Sequence, residues 1–230
     1  MPIDDAVTAI GALADDARRA LYRYVIAQPG PVGREQAAAA LDMPTHRARF
    51  HLEKLEQAGL LETDYARPSG RSGPGAGRPA KRYRRAVRDV AVSLPPRHYD
   101  LAGSLLATAI EAATATGEPI AEAVARVAAE HGREVAVAAG GGSGSADGLD
   151  AVHAVLEVQG YEPRETERGT ELRNCPFHRL SREHTALVCG MNAALLGGVV
   201  DAAAPGALHA RLDPAPGRCC VIIETGASAD

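Results

Sequence analysis

The segment from Gly33 to Leu61, GREQAAAALDMPTHRARFHLEKLEQAGLL, constrains the fold of this chain more than any other. It predicts two short helices, Arg34 to Leu41 and Thr45 to about Ala58, joined by a tight turn. Pro44 suits a helix start because its missing N–H group is not needed there. Gly59 suits the C-terminal end of a helix. The segment therefore predicts a helical hairpin.

The second predicted helix has one apolar face. Ala48, Leu52 and Leu55 recur at spacings of four and three residues, so they form one buried stripe. Its other positions carry hydroxyl, imidazole and cationic groups, which suit base edges and phosphates in a DNA major groove. A helical hairpin with a solvated basic face has the same pattern. The candidate DNA-binding residues on this helix are Thr45, His46, Arg47, Arg49, His51 and Lys54.

A β-hairpin is predicted after this helix. Leu60 to Tyr65 begins as an apolar strand, residues 67–78 are rich in Gly, Pro and Ser, and Lys81 to Arg85 returns as a strand. Between Arg67 and Arg88 the chain has eight basic residues and no acidic one. Such charges repel one another unless an anion lies between them, so this pattern indicates that the hairpin contacts phosphates. The alternative interpretation of these residues is a solvated linker. The candidate residues are Arg78, Lys81, Arg82 and Arg84.

The two halves of the chain differ in charge. Residues 1–92 carry 15 Lys+Arg and 11 Asp+Glu, whereas residues 93–230 carry 10 and 18. A basic first part joined to an acidic second part is typical of a DNA-binding domain with a separate regulatory domain.

The first part resembles a known family. The phrases ALADDARRALYRYV, REQAAAALDM, ARFHLEKLEQAGLLE and GRPAKRYR, in this order, are similar to the winged helix-turn-helix of ArsR-like bacterial transcriptional regulators. The resemblance covers about residues 8–87. It implies a homodimer that binds a partly palindromic operator in double-stranded DNA.

The rest of the chain predicts helices followed by mixed structure. Pro95-Pro96 marks a boundary. Residues 93–140 contain two amphipathic helices, which form either a dimer seam or a helix pair within one domain. Residues 141–230 alternate helices and strands, among them a continuous helix over Leu180–Val200 and a strand over Leu208–Leu212. The predicted fold is therefore α+β, with a winged domain over residues 1–92, a helical segment over 93–140 and an α+β sensor domain over 141–230.

The predicted compartment is the cytoplasm. The N-terminus, MPIDDAVTAIG, is acidic and lacks the basic region of a signal peptide. We find no apolar run of membrane-spanning length in the sequence. The four cysteines are therefore expected to be thiols or metal ligands, since disulfides are rare in that compartment.

The cysteines predict a metal site. Cys175 precedes Pro176, Cys189 lies on a predicted helix, and Cys219 and Cys220 follow a turn. Thiolates favour zinc, copper(I) or iron–sulfur clusters. The spacing matches no CxxC zinc ribbon, and buried cysteines also serve as core residues. His178, three residues after Cys175, is the best histidine candidate for a further ligand.

The motif Asn174-Cys175-Pro176-Phe177, together with Cys189 and a late cysteine, resembles the Suf-type repressors. These are ArsR-like regulators that carry an iron–sulfur cluster and repress the operon for cluster assembly. The resemblance implies three cysteine ligands, Cys175, Cys189 and one of Cys219 or Cys220, for a [4Fe–4S] cluster. It leaves the fourth ligand open.

Other functions are compatible with the same sequence. The same fold with a zinc or copper sensor, or with a small apolar ligand and no metal, fits the sequence. A thiol-dependent enzyme with an accessory DNA-binding domain is a further alternative. We predict no enzyme, because the sequence contains no P-loop, no GxGxxG after a strand, no GxSxG and no HExxH.

Overall fold

The computed structural model describes residues 3–66, 79–140 and 148–226. The chain divides into two compact units, Met1–Val92 and Ser93–Asp230. Both combine helices with an antiparallel sheet, so the α+β prediction is confirmed.

The first unit is a helical hairpin flanked by further helices and a small sheet with strand order β1-β3-β2. Its elements are α1 (Ile3–Ala12), α2 (Asp16–Ile26), β1 (Val32–Gly33), α3 (Arg34–Ala40), α4 (Thr45–Gln57), β2 (Leu61–Ala66) and β3 (Ala80–Arg85). Asp15 is the residue that caps α2. Its side chain accepts a 2.8 Å hydrogen bond from the backbone N–H of Arg18.

The core of the first unit lies beneath α4. Ala48, Leu52 and Leu55 are all fully buried, as the predicted stripe requires. Tyr83 on β3 is buried beside them. The sequence did not predict β1, which pairs Val32 with Tyr83 and so fixes the chain before α3 against β3.

The second unit has five helices and four strands within its described residues, 93–140 and 148–226. They are α5 (Tyr99–Thr116), α6 (Ile120–Ala138), α7 (Gly148–Val158), β4 (Pro163–Thr166), β5 (Gly169–Leu172), α8 (His178–Glu183), α9 (Thr185–Ala203), β6 (Leu208–Leu212) and β7 (Val221–Thr225). The sheet order is β4-β5-β7-β6, with all neighbours antiparallel. One continuous helix was expected over Leu180–Val200, but it is interrupted at His184, between α8 and α9.

The helices of residues 93–140 belong to this unit's core and do not form a separate linker segment. α5 contributes Ala102 and Leu105, and α6 contributes Val124 and Val127, to the same apolar cluster as residues of α7, α9 and the sheet. Within the single chain the two helices pack against each other and against the rest of the unit, and their use as a dimer seam stays a prediction.

The helix α9 corrects the expectation that the chain has no apolar run of membrane-spanning length. α9 is 19 residues long and has a mean hydropathy of 1.6, which is long and apolar enough for a membrane span by these two criteria alone. It contacts α6, α7, α8 and the sheet, and half of its most apolar window is buried in the unit. Its apolar character is therefore matched by its position in the protein core.

Candidate functional site

The exposed side of α4 carries most of the residues predicted to contact DNA. The helix begins at Thr45, after Pro44 in extended conformation. Its exposed side chains include a hydroxyl, an imidazole and three cations, while the opposite face is buried. These exposed candidates are Thr45, His46, Arg47, Arg49 and Lys54.

His51 is the exception, and its assignment as a DNA-binding residue is corrected. The residue is only 8% exposed and lies on the same face as Leu52 and Leu55. Its Nδ1 atom is 3.7 Å from the Asp15 carboxylate and has no hydrogen-bond partner among the described residues. Burial lowers the pKa of His51, and the nearby Asp15 carboxylate opposes that shift. A neutral, buried imidazole is not placed to reach a DNA base.

Phe50 is a surface residue that the sequence reasoning missed. It is 55% exposed, although it is the bulkiest side chain of α4. Its ring meets the His51 ring edge-on, with centroids 5.2 Å apart. The available signal was its spacing, because residue 50 lies two positions from both Ala48 and Leu52 and therefore falls outside the buried stripe.

The cations of the β2–β3 hairpin are paired with acidic neighbours. In the antiparallel register Glu62 lies opposite Arg84, and Asp64 lies opposite Arg82. Arg82 makes two hydrogen bonds, of 2.9 and 2.8 Å, to the Asp64 carboxylate, and Arg84 lies 2.7 Å from a Glu62 oxygen. Lys81 donates a 2.5 Å hydrogen bond to Glu56 of α4.

These ion pairs change the expected electrostatics of the hairpin. The sequence count covered only Arg67 to Arg88, whereas the acidic partners lie on β2 and α4, before that range. The positive charges of Lys81, Arg82 and Arg84 are therefore partly neutralised by neighbouring carboxylates. Phosphates would have to compete with these carboxylates for the three side chains. The fourth hairpin candidate, Arg78, lies outside the described residues.

The four cysteines come from three places in the second unit. Cys175 follows β5 and precedes α8, Cys189 lies in the first half of α9, and Cys219 and Cys220 directly precede β7. The backbone N–H of Cys219 donates a 2.8 Å hydrogen bond to the carbonyl of Leu172, which places the Cys219 loop beside the end of β5. We call these four residues the cysteine cluster.

The thiols of the cysteine cluster are mutual neighbours. A hydrogen bond with Cys219, followed by burial, raises the pKa of Cys175. Hydrogen bonding with Cys175 lowers the pKa of Cys219, but hydrogen bonding with Cys220 and burial outweigh it and raise that pKa to about 11. Burial raises the pKa of Cys189, and its hydrogen bond with Cys220 opposes the shift. Each of the three thiols Cys175, Cys189 and Cys219 therefore has its pKa influenced by at least one other cysteine of the cluster.

Two residues that the sequence did not single out complete this site. The Asn192 side chain on α9 is fully buried, and its Nδ2 atom donates a 3.2 Å hydrogen bond to the sulfur of Cys219. The Tyr161 hydroxyl donates a 2.5 Å hydrogen bond to Asn192 Oδ1. Tyr161 therefore fixes the orientation of the amide, and the amide N–H faces sulfur. This is a hydrogen bond that a thiolate accepts more strongly than a neutral thiol does.

The loop before Cys175 is held by side chains on both sides. Asn174 donates hydrogen bonds of 2.6 Å to the carbonyl of Gly160 and 3.1 Å to that of Pro96. Arg97 hydrogen-bonds to Asn174 Oδ1 and donates a 3.1 Å hydrogen bond to the carbonyl of Cys175. The role of Asn174 in the predicted motif is therefore to fix the backbone that presents Cys175.

The cluster does not have the form of a single-ion site. Across residues 3–66, 79–140 and 148–226, no three His, Cys, Asp or Glu side chains are arranged to hold one metal ion. His178 is the first residue of α8 and its side chain is exposed, whereas Cys175 and Cys219 are buried. The imidazole predicted as a further ligand is thus exposed at the surface.

Comparison with known proteins identifies the first unit. Residues 13–64 match a family described as a helix-turn-helix domain, and they span α2, α3, α4 and most of β2. This match supports a DNA-binding transcriptional regulator. No curated protein matches the chain.

Proposed function

We propose that this chain is an ArsR-like transcriptional repressor of the Suf type, in which an iron–sulfur cluster bound by the cysteine cluster controls the affinity for operator DNA. The observation that carries the proposal is the proximity of four thiols from distant sequence positions in the second unit. A basic helix-turn-helix unit in the same chain supplies the DNA-binding half. As in the family it resembles, a homodimer would bind a partly palindromic operator.

The donor set fits an iron–sulfur cluster. Cys175, Cys189 and Cys219 are buried, Cys220 is half-buried, and iron–sulfur clusters are held by thiolates. Each ligand of a polynuclear cluster binds a different iron, so its sulfurs need not converge on one point as they do around a single zinc or copper(I) ion. The N–H···S hydrogen bond from Asn192 is of the kind that tunes such clusters. When bound, the cluster would supply a redox-sensitive centre.

The protein's own residues explain why the loaded and empty states would differ. The four cysteines join the end of β5, the helix α9 and the start of β7. A group that holds all three elements together stabilises the second unit, and its loss leaves them held by packing alone. DNA affinity would follow if the dimer that fits the operator forms preferentially in the loaded state.

Anaerobic purification of the full chain tests the cluster. We expect a coloured protein with visible absorbance and with iron and acid-labile sulfide in equal amounts. Cys175→Ser and Cys219→Ser should each abolish the absorbance, whereas His178→Ala, next to the site in sequence but exposed, should keep it. Operator binding, measured by fluorescence anisotropy, should weaken in the two serine variants.

A colourless protein without iron, whose operator binding is unchanged when all four cysteines are replaced by serine, would reject the cluster and leave the DNA-binding half standing. Zinc or copper in stoichiometric amount by elemental analysis would assign a different metal to the same thiols.

A further inference from the structure

The outward surface of α4 has an apolar centre. The residues farthest from the buried stripe follow one another at spacings of four, three and four, which places them in a line along the helix. Phe50 is the only apolar member of this line. The line consists of His46, Phe50, Glu53 and Gln57.

The setting of Phe50 distinguishes it from an ordinary exposed apolar residue. Single exposed apolar side chains are common and need no explanation. Around the axis of α4, however, the position of Phe50 falls between those of the exposed cations Arg47 and Arg49, on the second helix of a helix-turn-helix domain. Its ring meets the ring of the buried His51 edge-on, with centroids 5.2 Å apart. The exposed ring is therefore an apolar group within a positively charged surface.

The carboxylate beside Phe50 does not cancel this charge pattern. Glu53 lies one turn further along the outward line, and one of its oxygens is 3.5 Å from the Nε atom of Arg49. This exposed pair offsets Arg49 in part. Arg47 and Lys54 flank the line on its other side, and neither makes an ion pair with a carboxylate of the described residues. The surface around the ring is complementary to a polyanion and not to an apolar protein surface.

A DNA major groove contains one apolar group that such a ring can meet. Thymine carries a C5-methyl group at the groove edge, and phenylalanine is one of the side chains that contact it. We propose that Phe50 contacts thymine methyl groups and is a specificity-determining residue for T·A pairs at the centre of each operator half-site. This inference rests on the proposed DNA-binding function.

The experiment removes the methyl group from the DNA and the ring from the protein. The full chain selects its site from a pool of random duplexes, and each thymine of the selected site is then replaced singly by uracil, which lacks only that methyl. Affinities are measured by fluorescence anisotropy for the wild type, Phe50→Ala and Phe50→Leu. Ile26→Ala, which removes exposed apolar surface of the same unit away from α4, is the matched control.

We expect one or two thymines per half-site whose replacement weakens wild-type binding about fourfold, the change that corresponds to one buried methyl group. At these positions Phe50→Ala should bind thymine and uracil equally, Phe50→Leu should keep part of the preference, and Ile26→Ala should keep all of it.

Uracil replacements that are neutral everywhere, or that weaken Phe50→Ala as much as wild type, would overturn the role of Phe50 while leaving DNA binding intact. Retained DNA affinity in Phe50→Ala combined with loss of a protein–protein contact would reassign the ring to a protein partner. Failure of the wild type to select any duplex would overturn both the inference and the DNA-binding half of the proposed function.

Discussion

Two adjacent glycines on α9 offer a sharp test of how the second unit is packed. A Cβ atom added to Gly198 would lie 2.0 Å from the carbonyl oxygen of Ala129 on α6, whereas one added to Gly197 would meet nothing within 4 Å. Gly132 on α6 approaches the carbonyl of Leu195 equally closely. The two helices therefore cross with their backbones in contact, and Gly198→Ala should separate them while Gly197→Ala should not.

The magnitude follows from the geometry. Bringing the new Cβ of Gly198→Ala even to 3.0 Å from that oxygen requires the helices to move apart by about 1 Å, a gap that loses about a quarter to a half of the attraction between facing atoms. A clash with backbone cannot be relieved by a rotamer change, so we assign it about 3 kcal/mol. Both substitutions gain up to about 1 kcal/mol from helix propensity. The two variants should therefore differ in free energy of unfolding by the cost of the clash.

Amide hydrogen exchange of α6 and α9 peptides, followed by mass spectrometry, measures this difference in the full chain. Gly198→Ala should exchange roughly 30-fold faster than wild type, as a net loss of about 2 kcal/mol requires. Gly197→Ala should exchange at the wild-type rate or more slowly, and peptides of the first unit should not change in either variant. Equal protection in both variants would show that the helices do not cross this closely.

Three further predictions follow from single contacts. Burial lowers the pKa of His51 below its ordinary value of 6.5, so the unfolded state binds more protons and the free energy of unfolding falls as pH drops below about 6.5. Urea titrations at two pH values should show a smaller loss of this free energy for His51→Gln than for the wild type, and equal losses would contradict the prediction. Asn192→Leu should lower the free energy of unfolding by about 1–3 kcal/mol, since it leaves the buried Tyr161 hydroxyl without its acceptor. The double variant with Tyr161→Phe should regain part of this loss, and strictly additive losses from the two substitutions would argue against the hydrogen bond. Asp64→Asn should release Arg82 for phosphates and steepen the salt dependence of DNA binding by up to about one counterion. If the slope of log affinity against log salt concentration does not change, Arg82 does not face DNA.

The local elements of this chain could be predicted because their signals are short-range. The stripe of α4 and the turn at Gly59 follow from helical spacing and glycine geometry, and Leu208–Leu212 was predicted with the bounds that β6 has. β1 could not be predicted, since two residues carry no periodicity and it exists only by pairing with β3. The break at His184 was missed because helix-forming residues continue on both sides of it.

The sites were less predictable, for two different reasons. On α4 the error concerned polarity, because His51 was grouped with polar surface residues although its spacing from Ala48 and Leu55 places it on the buried face. Its neighbour Phe50 was overlooked because only polar side chains were considered as DNA contacts, although its spacing places it on the exposed face. In the second unit the cysteines were identifiable by type. Their partner Asn192 was not, since only the folded chain brings an amide of α9 to the sulfur of Cys219.

The cysteine cluster and the apolar core of the second unit are one structure. Cys175, Cys219 and Tyr161 belong to the same buried cluster as the α6–α9 interface, and Asn192 is a buried polar residue of α9 with both hydrogen bonds directed to this site. A ligand bound by these thiols would therefore act on the packing of the core itself. Binding to the native state alone raises its stability by mass action, so occupancy of the thiols and rigidity of the second unit must change together. If these thiols bind a ligand, part of the free energy of that binding is also free energy of folding of the second unit.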